Sequence, residues 1–291
     1  MSTSFPYNFP QPASAPPDAG PPQQLLDELS ALVERRTMMQ FGVERRSHFV
    51  GTLKARARAA GEADAASYVR RVMSPAGEAE LLALIDDLTI NETTFFRNVP
   101  QLEMVKNVAL PETVARKRAA GEAKRINVWS AACSTGQEVY TLAILAYEAL
   151  RFAPGWDVRV FGTDISPTVI ETARRGVYPK ARLDTVPPGV LARYFDDAGD
   201  EIRVKDLLRR VTLFQQHNLR EQLPPGSFDI IFCRNVMIYF SREEQTRLVQ
   251  KFYERLAPGG FLFVGHSESL QGLGVSYRLR IHERGIAYQK D

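Results

Sequence analysis

Cysteine is almost missing from this 291-residue chain. The two that occur, Cys133 and Cys233, build no disulfide framework and show no metal-ligand spacing. Long apolar runs are missing too: nothing approaches the ~18 residues of a membrane span. The N-terminus lacks the cationic start and apolar core of a signal peptide. A large excess of one charge is also absent, and a net charge of +3 is too mild to argue for nucleic acid. With 44% apolar residues, these absences predict a soluble, globular, cytoplasmic protein with no membrane insertion. The length suits one sizeable domain plus a small one.

What is present centres on residues 126–144. Residues 126–130 read as a strand and 131–136 as a tight turn of small residues. A helix follows, with Val139, Leu142, Ala143, Ala146 and Leu150 on one face at the 3.6-residue period. Such a turn lets backbone approach a ligand closely, and the helix N-terminus offers it free N–H groups. Asp164 closes the next strand, where a nucleotide-type fold places the carboxylate that holds ribose hydroxyls. The plainer alternative is any βαβ unit with a small-residue turn. A dinucleotide calls for G-x-G-x-x-G. Here only Gly136 is glycine, and Ala132 and Ser134 fill the other small positions. That disfavours a pyrophosphate and a nicotinamide dehydrogenase. S-adenosylmethionine, with ribose and adenine but no phosphate, fits better.

In chain order, residues 1–22 hold seven of the 18 prolines and no periodicity, which predicts a flexible tail. Residues 23–88 read as a helical domain, with apolar stripes at Leu25, Leu29, Leu32 and Val33 and at Leu81, Leu82, Leu84, Ile85 and Leu88. Between them Arg35, Arg36, Arg45, Arg46, Lys54, Arg56 and Arg58 face only Glu34 and Glu44. If residues 44–60 are helical, Arg46, Lys54 and Arg58 share one face: a solvated surface, or a docking face for an acidic partner. Residues 89–98 form a linker. It is either a loop anchored by Phe95 and Phe96, or one that closes over a site and presents Asn91, Thr93 and Arg97. Residues 99–291 form an α/β domain, opening on a helix over 99–118. Ser166-Pro167 starts a helix. Residues 176–214 break the βαβ rhythm as a small β insertion. Residues 228–233 make a buried parallel strand whose C-terminal end carries Arg234 and Asn235, where open α/β sheets bind ligands. Ser241-Arg-Glu-Glu244 is a capping box, and residues 277–289 read as two antiparallel strands at the sheet edge. The predicted fold is a doubly wound, Rossmann-like α/β sheet with a β insertion, preceded by an all-α domain.

Six ordered segments resemble the chemotaxis receptor glutamate methyltransferase family (CheR-type) over roughly residues 25–290. They are Asn91-x-Thr93-x-Phe95-Phe96-Arg97, Trp129 to Tyr140, Gly162-Thr-Asp164, Asn218-Leu219, Phe232 to Phe240, and Pro258-Gly-Gly260 to Gly265-His-Ser-Glu268. The resemblance implies methyl transfer from S-adenosylmethionine to glutamates on a receptor's cytoplasmic coiled coil, by a monomeric enzyme. It implies a cofactor site lined by Asn91, Thr93, Arg97, Glu138, Asp164, Asn218, Leu219, Arg234 and Asn235, with Arg97 and Tyr239 flanking the acceptor. It also implies receptor docking through the basic helix with Arg45, Arg46, Lys54, Arg56 and Arg58.

Each residue has a plainer reading. Asp164 is then a strand-end cap, Glu138 a first-turn acid favoured by the helix dipole, Tyr239 a core aromatic, and Arg234 the partner of a neighbouring acid. His217 and His266 read as structural. Cys133 and Cys233 end adjacent strands and read as buried small hydrophobes. The segment 195–203 is shorter than in relatives that tether to a receptor's C-terminal peptide, which predicts a tether-independent enzyme. Two rivals remain. A nucleic-acid methyltransferase acting on an amino group calls for an Asn/Asp-Pro-Pro-Tyr/Phe corner, which Arg234-Asn-Val-Met lacks. The other is a cofactor-sensing or receptor-docking module without turnover.

Overall fold

The computed structural model describes residues 20–150, 155–183 and 185–291. The tail expected over residues 1–22 falls almost wholly outside the described residues. Four helices open the described chain: α1 (Gln23–Thr37), α2 (Arg46–Ala59), α3 (Ala65–Val72) and α4 (Glu78–Leu88). Asp64 caps α3, its carboxylate accepting the Ser67 N–H at 2.7 Å. Leu29, Val33, Leu53, Tyr68, Leu84 and Leu88 are shut off from solvent between the helices. Leu82 departs from its expected stripe and is 48% exposed. It lies about 100° round the helix from Leu81, which takes it off the buried face.

The helix over residues 99–119 is one run with a π-helical turn at its middle: α5 (Val99–Met104), the turn at Val105–Ala109, then α6 (Leu110–Ala119). Seven strands then form the main sheet. They are β1 (Arg125–Ala131), β2 (Asp157–Asp164), β6 (Thr212–Gln216), β7 (Phe228–Cys233), β8 (Leu256–Val264), β9 (Tyr277–His282) and β10 (Gly285–Lys290). Their order is β6-β2-β1-β7-β8-β10-β9. The first five run parallel, and β10 runs antiparallel to both β8 and β9. From β1 the chain steps outward to β2 and β6, then returns to lay β7 on the other side of β1. That reversal opens a crevice at the carboxyl ends of β1 and β7.

Helices cover both faces: α7 (Gln137–Leu150) and α8 (Pro167–Arg175) follow β1 and β2, and α11 (Arg242–Arg255) follows β7. The insertion is a second sheet of β3 (Val177–Pro179), β4 (Phe195–Ala198) and β5 (Glu201–Val204), ordered β3-β5-β4 and antiparallel, with short helices α9 (Pro188–Tyr194) and α10 (Asp206–Arg209) beside it. One core lies between sheet, α7 and this insertion. The other runs from the opposite face of the sheet, around Trp129 and Phe252, into the helical domain.

α7 is buried nearly all round, not along one stripe, because the insertion covers its outer side. The Tyr140 hydroxyl donates to the Ala173 carbonyl at 2.8 Å. Phe95, fully buried, meets Tyr178 and Phe195 edge-on at 5.1 and 5.3 Å between ring centres. The linker is thus nailed into the α/β domain's own core. The packing of α7 on β2 depends on Gly162, where a Cβ would come within 2.6 Å of Val139 Cγ2 and 2.9 Å of Phe214 Cδ1. Gly162→Ala is expected to lower stability by about 2 kcal/mol through overpacking. Urea unfolding measures this, and an unchanged midpoint would mean that Val139 and Phe214 give way freely.

Candidate active site

The turn after β1 is built from backbone that side-chain-bearing residues seldom adopt. Ala132, Ser134 and Gly136 have φ of 62°, 50° and 93°. For Ala132 and Ser134 this left-handed conformation costs on the order of 1 kcal/mol each. Gly136 has no choice, since a Cβ there would lie 2.7 Å from Ala173 Cβ. The turn is held in this shape from outside. The Cys133 N–H donates to the Thr163 carbonyl at 2.8 Å, and the Ser134 N–H to Asp164 Oδ2 at 2.8 Å. Asp164 Oδ1 accepts the Ser166 N–H at 3.0 Å. The Ser134 hydroxyl donates to the Asn91 carbonyl at 2.9 Å, which joins the linker to the turn.

These groups wall a cleft at the carboxyl ends of β1, β2 and β7, about 900 Å³ with the solvent-open space at its mouth included. All ten residues expected at the site line it: Asn91, Thr93 and Arg97 from the linker, Glu138 from α7, Asp164 from β2, Asn218 and Leu219 after β6, Arg234 and Asn235 after β7, and Tyr239. No single segment supplies more than three of them, so the topology brings them together.

The side chains differ in what they have free. Asp164 is nearly fully buried, and burial pushes its carboxyl above the usual 3.8, against the pull of the N–H groups of Ser166, Ser134 and Ile165. The Ser134 N–H meets one of its oxygens and the Ser166 N–H the other, which leaves the carboxylate acceptor capacity for a ligand. Glu138 accepts the Ser130 hydroxyl at 2.8 Å on one oxygen and Arg234 Nη1 at 3.0 Å on the other. Arg234 Nη1 also donates to the Arg97 carbonyl at 3.3 Å. Arg234 therefore does pair with a neighbouring acid, and the pair braces strand, helix and linker from inside the cleft wall. Arg97 is exposed. Its Nη1 donates to the Glu92 carbonyl at 3.1 Å, and among the described residues it has no carboxylate partner. Asn218 is already engaged: its amide donates to the Arg36 carbonyl at 2.7 Å and its oxygen accepts the Arg220 N–H at 3.0 Å. That carboxamide pins the helical domain to the sheet.

The helical domain supplies part of the cleft, which the sequence reading did not anticipate. Thr37 and Met39 line it. The Gln40 N–H donates to the Tyr239 carbonyl at 2.8 Å, and Met39 and Phe240 form a β-bridge. Two of the five basic residues expected on a docking face turn inward. Arg45, in a 3₁₀ turn before α2, lies over the rings of Tyr239 and Phe41, 4.2 and 4.9 Å from their centres, and burial lowers its pKa. Arg56 donates to Glu80 and Asp87 across the bundle at 2.7–3.0 Å. Arg58 stays exposed, and among the described residues Arg46 makes only a 3.4 Å contact with Asp27.

His217, read as structural, also lines the cleft. Burial lowers its pKa from the usual 6.5, and its shielded Nε2 has no partner among the described residues. His266 is exposed on the turn after β8. Cys133 and Cys233 are free and buried, with burial pushing both thiols up. Glu268, named in the sequence but given no role there, lies beside the cleft wall, and its buried carboxylate receives the backbone N–H groups of Asn235, Val236 and Ile238 at 3.0–3.2 Å. Its only sequence signal was its place in the last of the six segments.

The donor set suits a nucleoside without phosphates. It offers an acceptor carboxylate at the strand end, a turn of small residues and amides on two sides, and its buried cation is neutralised by Glu138. Residues 91–283 match the family model described as CheR methyltransferase, SAM binding domain. A chemotaxis protein methyltransferase of Salmonella typhimurium is 38% identical over 256 residues, which are 86% of this chain and 85% of the relative. The Escherichia coli protein of the same name is 36% identical over 87% of this chain and 86% of its own. A probable chemotaxis protein methyltransferase of Rhizobium etli is 37% identical over 70% and 77%. With the family model running from the linker through the sheet, and two of these relatives matching across most of the chain, the protein belongs to the CheR methyltransferase family, whose cofactor is S-adenosylmethionine.

Proposed function

We propose that the chain methylates glutamate side chains on the cytoplasmic domain of chemotaxis receptors, forming glutamyl methyl esters. The observation that carries this reading is the unpaired, exposed guanidinium of Arg97 in the same cleft as Asp164 and Tyr239. The names of the relatives support a receptor as the substrate.

When bound, the cofactor supplies an already activated sulfonium methyl. A glutamate carboxylate, with a usual pKa of about 4.3, is ionised at neutral pH and needs no general base. That accounts for a cleft built without a nucleophile–base pair. The chain's task is orientation and exclusion of water. In this reading Asp164 accepts the ribose hydroxyls, and Asn91, Thr93, Asn218, Leu219 and Asn235 complete the cofactor's surroundings. Glu138 and Arg234, locked together, keep the wall rigid. Arg97 grips the acceptor carboxylate with two N–H groups, and the Tyr239 phenol orients it. The α2 face with Arg46, Lys54 and Arg58 receives the acidic receptor, with Arg45 and Arg56 kept for internal roles. The protein acts as a monomer in the cytoplasm.

Incubation with methyl-labelled S-adenosylmethionine and receptor cytoplasmic fragments, followed by mild alkali, tests the reaction. The expected result is label on the receptor that alkali releases as methanol, with a KM for receptor that rises with salt. Alkali-stable label would move the acceptor to nitrogen. Cofactor binding without label on any receptor of a panel would favour a sensing module.

The raised pKa of Asp164 gives a pH signature. Folding favours its protonated form, so stability falls as pH rises from 3.8 through the raised value. Ligand binding uses the ionised form, so affinity for S-adenosylhomocysteine is expected to fall, as pH drops, at a higher pH than for an ordinary carboxylate. Asp164→Asn is expected to remove that limb and to weaken binding about tenfold to a hundredfold. Calorimetric titration across pH measures both, and an unchanged acid limb in Asp164→Asn would remove the residue from the site.

The insertion's hairpin turns tightly between β4 and β5 at Gly199 and Asp200. This supports the tether-independent reading. Calorimetry with a receptor C-terminal peptide is expected to register no strong binding, and micromolar affinity would overturn that.

A further inference from the structure

Three cleft residues, Arg234, Asn235 and Tyr239, sit on one short segment between β7 and α11. The segment is irregular: Asn235 has φ 59°, and Met237–Tyr239 is a single 3₁₀ turn. Such backbone exposes N–H groups that no strand or helix satisfies. Glu268, on the turn after β8, collects them. Its Oε2 accepts the Asn235 N–H at 3.0 Å and its Oε1 accepts those of Val236 and Ile238 at 3.0 and 3.2 Å. The Gly265 N–H closes the set on Oε2. Four donors from two segments thus converge on one carboxylate that is 9% exposed. Gly265 makes the approach possible, since a Cβ there would lie 2.6 Å from Glu268 Oε2 and 3.1 Å from the Asn235 nitrogen.

We infer that Glu268 is a positioning residue for methyl transfer, fixing the segment that carries Asn235 and Tyr239 in the shape the cleft needs. Only a carboxylate serves. It presents two oxygens, each able to accept two hydrogen bonds, and its charge strengthens all four. A carboxamide keeps one oxygen and turns an NH₂ group toward donors that already have hydrogens. Glu268 does not line the cleft itself, so it acts through the residues it holds. The inference rests on the proposed function, and extends it to a residue on the turn after β8 that does not itself line the cleft.

Glu268→Gln is the test, with His266→Ala, an exposed neighbour on the same turn, as control. Folded fraction is measured for each, then the affinity for S-adenosylhomocysteine and kcat and KM for a receptor fragment, per folded molecule. The expected Glu268→Gln result is affinity and kcat each down by about tenfold or more, with KM for receptor within about twofold, since docking uses the far α2 face. His266→Ala is expected to behave as the unaltered chain. Glu268→Asp, one methylene shorter, is read in the same way. Affinity and kcat that match the unaltered chain, or that fall only with the folded fraction, would overturn the inference. So would failure of both variants to fold, which would assign Glu268 to the fold alone. An unaltered chain that binds no S-adenosylhomocysteine would instead defeat the proposed function itself.

Discussion

The carboxylate of Asp164 takes one backbone N–H from each side, Ser134 from the first turn and Ser166 from the start of α8. Much of the site depends on that bridge. It fixes the end of β2 against the turn after β1, whose Ala132 and Ser134 stand in strained left-handed backbone. The bonds that offset this strain are the same ones that keep an acceptor carboxylate buried at the crevice. Ser134 then passes the constraint to the linker through the Asn91 carbonyl. A buried acid, a strained turn and a loop are thereby locked to one another before any ligand arrives, which is the preorganisation that an orientation-driven reaction requires.

A second chain of contacts braces the opposite wall. Ser130, Glu138, Arg234 and the Arg97 carbonyl run in line from β1 to the linker. Phe95 anchors the linker from below in the core shared by α7 and the insertion. Arg97 is therefore an exposed side chain on rigid backbone, able to meet a ligand without a large ordering cost. The helical domain closes the arrangement through Met39, Gln40 and Arg45 against Tyr239 and Phe240. It shapes the Tyr239 side of the cleft.

The central βαβ unit was legible because its information is local: a small-residue turn between a strand and a helix, and an acid at the next strand's end. The ten cleft residues were legible through six ordered segments. What was hidden depends on partners far apart in sequence. Arg45 and Arg56 read as surface charge, since nothing local shows an aromatic ring or a carboxylate across the bundle. α7 read as a one-sided helix because the insertion that covers its back, meeting it at Tyr178 and Leu207, comes much later in the chain. Asn218 read as a cofactor contact, yet its side chain already bonds to Arg36 and Arg220. Glu268 was silent because its partners are backbone groups, which a sequence does not distinguish.

In the proposed reading the cleft is assembled in advance, with Asp164 as its ribose acceptor and Arg97 left free for the acceptor carboxylate. A crystal structure with S-adenosylhomocysteine bound tests it most directly. The expected complex has ribose hydroxyls on the Asp164 carboxylate, Ser134 still donating to it, Glu138 still paired with Arg234, and Arg97 unpaired at the sulfur end. A ribose held elsewhere, or a turn and linker that rebuild around the ligand, would contradict it.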